Sequence, residues 1–154
     1  MYSNHTFRSL TILLTTVGIF FPMSKSNATE PKKEIGNQVR VNIYRIPKKN
    51  HDRMLQNQKQ FTAVFRKHGC YYRGFQLNST GTPEGFTSLT TVLSSNQDEE
   101  VWMDLESYGD RGHMDEVISK IMKDENALSL MKQYIELLSP GSGPIRAEFR
   151  RLSA

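Results

Sequence analysis

Two carboxylates separated by a single residue define what chemistry this chain can offer. Asp104 and Glu106 lie in Val101-Trp102-Met103-Asp104-Leu105-Glu106-Ser107-Tyr108, a stretch that alternates in character. Extended backbone sends successive side chains to opposite faces. One face therefore carries Val101, Met103 and Leu105, and the other Trp102, Asp104, Glu106 and Tyr108. Carboxyls two apart on one strand face stand within roughly 7 Å of each other. That spacing suits an acid and a base, or a cation held between them. It equally suits an ion-pair network, because Arg40, Arg146 and Arg150 fall on the same face of neighbouring predicted strands. The network is the preferred reading, since cations beside buried carboxylates satisfy them.

Other chemistry-bearing residues are sparse. His51 and His68 are of the residue type that moves protons at neutral pH, yet they sit at opposite ends of one predicted helix and read as capping residues. Gly109-Asp110-Arg111-Gly112 lacks the spacing of a phosphate-binding loop, and neither a zinc-protease helix nor a serine elbow occurs. Met114, Met122 and Met131 form a stripe that reads as helix core. Cys70 is the one cysteine, which excludes an internal disulfide and a cysteine zinc site. No metal is expected, and the residues name no cofactor.

A chain of 154 residues has room for one domain with a proper core. Hydrophobic residues at 37% and charged ones at 23% are globular values. The net charge of +4 is spread without a run of like charges, so nucleic acid is not an expected partner. Arg8, an apolar stretch over 10–21, Pro22 and small residues at 26–28 follow the layout of a secretory leader. About twelve apolar-rich residues are too few for a stable membrane span. A start at Met23 is the other reading, and it leaves the protein cytoplasmic. We divide the chain into a leader (1–28), a flexible lead-in (29–38) and one domain (39–152).

The elements that must position Asp104 and Glu106 follow from periodicity. Residues 39–46 alternate as a strand that Pro47 ends, and Asn50 is a suitable N-cap. Met54, Leu55, Phe61, Val64 and Phe65 share a helical face, which Gly69 stops. Strands are expected over 70–78, 86–93 and 101–108, with turn chemistry at 79–85. Asp110 caps a second helix carrying Met114, Val117, Ile118, Ile121 and Met122. A third carries Leu128, Met131, Tyr134, Ile135 and Leu138, and a strand over 145–152 follows the breaker at 140–144. The order β-α-β-β-β-α-α-β predicts an α+β fold, an antiparallel sheet with helices on one face. The apolar strand rows are expected to meet those helices. The other face holds Arg40, Asn42, Tyr44, Trp102, Asp104, Glu106, Arg146 and Glu148, joined by Tyr72 and Gln76. Its rings are too extensive to leave in water, so it is expected to close on a second copy. The homodimer would enclose a polar lumen able to bind a small organic molecule through Arg40, Tyr44, Trp102, Asp104, Glu106 and Arg146.

Several motifs resemble the YbaA-like family of small proteins. They are Ile46-Pro47-Lys48-Lys49-Asn50, Phe65-Arg66-Lys67-His68-Gly69, Glu99-Glu100-Val101-Trp102, and Arg111-Gly112-His113-Met114-Asp115-Glu116-Val117 running on to Met122-Lys123-Asp124. The likeness covers about residues 39–152 and departs at Pro140-Gly141-Ser142-Gly143-Pro144. It implies a ferredoxin-like protomer that dimerises as an α/β barrel. The family has no established reaction, so no catalytic set carries over. Asn42, Trp102 and His113 are nevertheless the residue types found at sites of dimeric α/β-barrel monooxygenases, which makes Asn42 and His113 the catalytic candidates. His113 also fits a plain role at the start of its helix. Three functions stay open: a small-molecule binder, a cofactor-light monooxygenase or isomerase, and a non-catalytic structural or regulatory dimer.

Overall fold

The computed structural model describes residues 36–78 and 81–152. The expected leader and all but the end of the lead-in lie outside the described residues. Strand β1 (Gln38–Pro47) gives way at Pro47 to a 3-10 turn, Lys48–Asn50, and then to helix α1 (His51–Lys67). Asn50 holds the N-cap position without capping, because its Nδ2 donates to the Leu137 carbonyl at 3.0 Å instead. Gly69 ends the helix at φ +91°, a conformation that side chains disfavour. Strand β2 (Tyr71–Gln76) follows, then a short helical turn, α2 (Leu89–Val92), and strand β3 (Glu99–Tyr108). Helices α3 (Arg111–Ile121) and α4 (Glu125–Leu137) lead to strand β4 (Ile145–Arg150). Asp110 and Asp124 cap the two helices through their carboxylates.

The expected strand over 86–93 does not form. Ser88 Oγ accepts the Thr90 amide and starts a helical turn there. Phe86 and Val92 stay exposed, so the segment lacks the packed neighbours that β-prone residues need. β2 pairs directly with β3.

The sheet runs β2-β3-β1-β4 with every pairing antiparallel. This is an α+β, ferredoxin-like arrangement, with β1 and β3 at the centre. Register aligns Tyr44 with Trp102, Asn42 with Asp104 and Arg40 with Glu106. On the far side of β1, Asn42 meets Arg146 and Arg40 meets Glu148.

The expected orientation of the two faces is reversed. Tyr44, Trp102, Tyr72 and Tyr108 pack in the hydrophobic clusters with Met54, Phe61, Phe65, Met114, Leu130 and Leu137 of the helices. Arg40, Asn42, Asp104 and Glu106 are buried beside them. The row of Val41, Ile43, Met103 and Leu105 lies on the opposite face and is only partly buried. The protomer's own helices thus cover the polar face, and the expected lumen between two polar faces is corrected. The physical reason is area: each large ring buries on the order of 150–250 Å², more than the β-branched residues opposite. Hydrogen bonds among the polar groups remove most of the penalty of burying them.

Candidate functional site

A cavity of about 320 Å³ lies between the covered sheet face and helices α1, α3 and α4. Its floor is Arg40, Asn42, Asp104, Glu106 and Arg146, and its walls are apolar, among them Phe61, Ile118, Met131 and Tyr134. Met122 and Ile135 border it while more than half exposed, which marks the mouth. Alternation along β1, β3 and β4 aims the floor residues the same way, and the register sets them side by side.

Glu106 is saturated with donors. Arg40 Nη1 lies 3.4 Å away, Asn42 Nδ2 3.1 Å and the Tyr108 hydroxyl 2.5 Å. Arg40 also grips Glu148 at 3.0 Å, and Arg111 reaches that carboxylate at 2.7 Å. Hydrogen bonding to Arg40 holds Glu148 below the usual carboxylate range. The expected ion-pair network is therefore present, but it is built on Glu106 and not on Asp104.

Asp104 has no ion-pair partner among the described residues. Its Oδ1 accepts the Tyr44 hydroxyl at 2.9 Å. That hydroxyl accepts Gln58 Nε2 at 2.6 Å, while the Tyr72 hydroxyl donates to Gln58 Oε1 at 2.6 Å. Burial pushes Asp104 up to about 7, against the pull of the Tyr44 and Tyr72 hydroxyls, and the Glu106 charge adds to the rise. Burial likewise raises both tyrosines well above ordinary phenols, so they stay neutral donors. Gln58, which organises this cluster, was not expected from the sequence. The available signal was its place, with Asn57, on the same α1 face as Met54, Phe61, Val64 and Phe65.

Of the residues expected to hold a ligand, Arg40, Asp104, Glu106 and Arg146 border the cavity and Tyr44 and Trp102 do not. Tyr44 acts from behind the floor through Asp104. Trp102 packs with Ile46, Met54 and Leu137, its Nε1 donating to Glu100 at 2.9 Å and its ring 5.6 Å from that of His51. The two catalytic candidates separate. Asn42 sits on the floor, with Oδ1 accepting Arg146 Nε at 2.8 Å. His113 stays at the start of α3, where Nδ1 accepts the Gly109 amide at 3.0 Å, and it does not border the cavity. Both helix-end histidines pair with acids, His51 with Glu100 and His68 with Asp124, each at 2.9 Å.

No helix among the described residues is long and apolar enough to cross a membrane. Residues 37–135 match the family described as "Protein of unknown function (DUF1428)", and the chain belongs to that family. Among curated proteins none matches it.

Proposed function

We propose that this member of the DUF1428 family binds a small, mostly apolar molecule in the cavity between its sheet and helices, and works as a homodimer. One observation carries the reading: five polar side chains converge on the floor of a largely apolar cavity of about 320 Å³. Ligand sites are built this way, with apolar walls for affinity and a few placed polar groups for orientation. Equilibrium dialysis with phenylacetone and 2-tetralone tests it. Wild type is expected to bind at one saturable site per chain, and Ile118→Trp, which fills the cavity, to lose it. Failure of wild type to bind either ketone overturns the reading.

The second copy belongs on the outer sheet face. Phe75, Ile145 and Phe149 are about half exposed there, beside partly buried Val41, Ile43, Met103 and Leu105. A contiguous apolar face of this kind marks an interaction surface. Packing two such faces gives an α/β-barrel dimer, which agrees with the YbaA-like motifs. The dimer proposed here has the opposite face at its centre from the one expected of the sequence.

A further inference from the structure

The two carboxylates on the cavity floor have different donor sets. Glu106 takes N–H groups from Arg40 and Asn42 and the Tyr108 hydroxyl, a donor set that suits a carboxylate. Asp104 receives a neutral phenol, from Tyr44. Asn42 lies between Asp104 on one neighbouring strand and Arg146 on the other. A carboxyl and a guanidinium therefore flank one stretch of floor, their backbones about 10 Å apart at two strand spacings. Arg146 spends Nε on Asn42 Oδ1, which leaves its terminal amino groups for an oxygen of a bound molecule.

We infer that Asp104 is the proton-exchanging group of this cavity, and that the fitting ligand is an apolar carbonyl compound with hydrogens on the carbon beside the carbonyl. The inference rests on the ligand-site reading above. In the step it describes, the Asp104 carboxylate takes a proton from that carbon. The C–H electron pair becomes the new C=C bond as the carbonyl π pair moves onto oxygen, where Arg146 faces the charge. Returning the proton to the same carbon, or to the far end of a conjugated system, restores the carbonyl. No oxidant, reductant or co-reactant enters the balance.

The surroundings of Asp104 fit that task. Around Asp104 stand Tyr44 and Arg40 from β1, Tyr72 from β2, Gln58 from α1, Tyr134 from α4, Arg146 from β4 and Glu106 from its own strand. The tyrosines stay protonated, and the Glu106 charge is matched by Arg40. Asp104, pushed by burial up to about 7, changes charge near neutrality. A base that must also return its proton works best in that range.

Exchange of the α-hydrogens of phenylacetone and 2-tetralone for deuterium, followed by proton NMR of the full chain in heavy water, tests the inference. Wild type is expected to accelerate exchange about 10²-fold over buffer, the usual contribution of one positioned base. The rate should rise with pH through about 7. Asp104→Asn should fall back to the buffer rate while binding the ketones within about threefold of wild type, since amide and carboxyl share a shape. Tyr44→Phe should move the pH profile upward, because a donor to the charged form is lost. Binding without acceleration in wild type, or acceleration that survives Asp104→Asn, overturns the inference and leaves the ligand site standing. Absence of binding overturns both.

Discussion

Gln58 occupies the space where a side chain on Gly74 would stand. A Cβ on Gly74 would lie 3.0 Å from Gln58 Oε1, and Gly74 is the β2 residue paired with Asp104. The missing side chain is what lets the α1 carboxamide reach down to the tyrosine hydroxyls around the carboxylate. Gly74→Val is therefore expected to destabilise the fold by about 1–3 kcal/mol, the range for overpacking a filled site. Chemical denaturation measures it. In a Gln58→Ala background the same substitution should cost much less, because the residue it displaces is gone.

Asp104 makes the fold weaker at higher pH. Its folded value, about 7, lies above that of an unfolded aspartate, so the folded state binds the proton more tightly. This contribution is full below about pH 4 and is lost as pH rises through the folded value. Asp104→Asn removes the loss, since an amide does not ionise. At pH 8 the variant should exceed wild type by on the order of 4 kcal/mol, and the two should converge near pH 4. Thermal melts across that range check the sign.

Arg40 ties β1 to both carboxylates that neighbour it across the sheet, Glu106 and Glu148. Arg40→Met keeps most of the volume and leaves Glu106 buried without its cation. A loss of about 3–5 kcal/mol is expected at neutral pH. The double variant Arg40→Met with Glu106→Gln should recover much of it, because no uncompensated charge remains. Urea titrations of the four proteins decide it.

Phe149 lies on the outer sheet face and is 55% exposed in the protomer. Phe149→Asp should leave the far-UV spectrum and the melt of the single chain nearly unchanged, as surface substitutions do. It should convert the proposed dimer to monomer in sedimentation velocity, since a charge would be buried without a partner where the two sheets are proposed to pack. A wild-type monomer at micromolar concentration would remove the dimer.

Much of this arrangement is written in residue spacing. The alternation over 101–108 marks β3, the run from Met54 to Phe65 marks α1, and Asp110 marks the start of α3. Two things escape that logic. A period of two defines two faces but carries no sign saying which one the helices cover, so Asp104 and Glu106 came out on the wrong side of the expected sheet. Asn57 and Gln58, two amides on an otherwise apolar α1 face, were the clue to the sign. In α4 two apolar stripes overlap. Leu128 and Ile135 fit the expected face, yet Ala127, Leu130 and Leu137 are the buried set. The strand expected over 86–93 failed differently, because a local serine cap outweighed β propensity that had no packed neighbour.

The hydrogen-bonded layer under the helices sets heat resistance against occupancy. Replacing Arg40, Asp104 or Glu106 in concert with apolar groups of similar size would strengthen the interior while erasing the polar features of the pocket. Directed evolution for thermal tolerance alone should accumulate changes at those positions and return hardy but empty proteins.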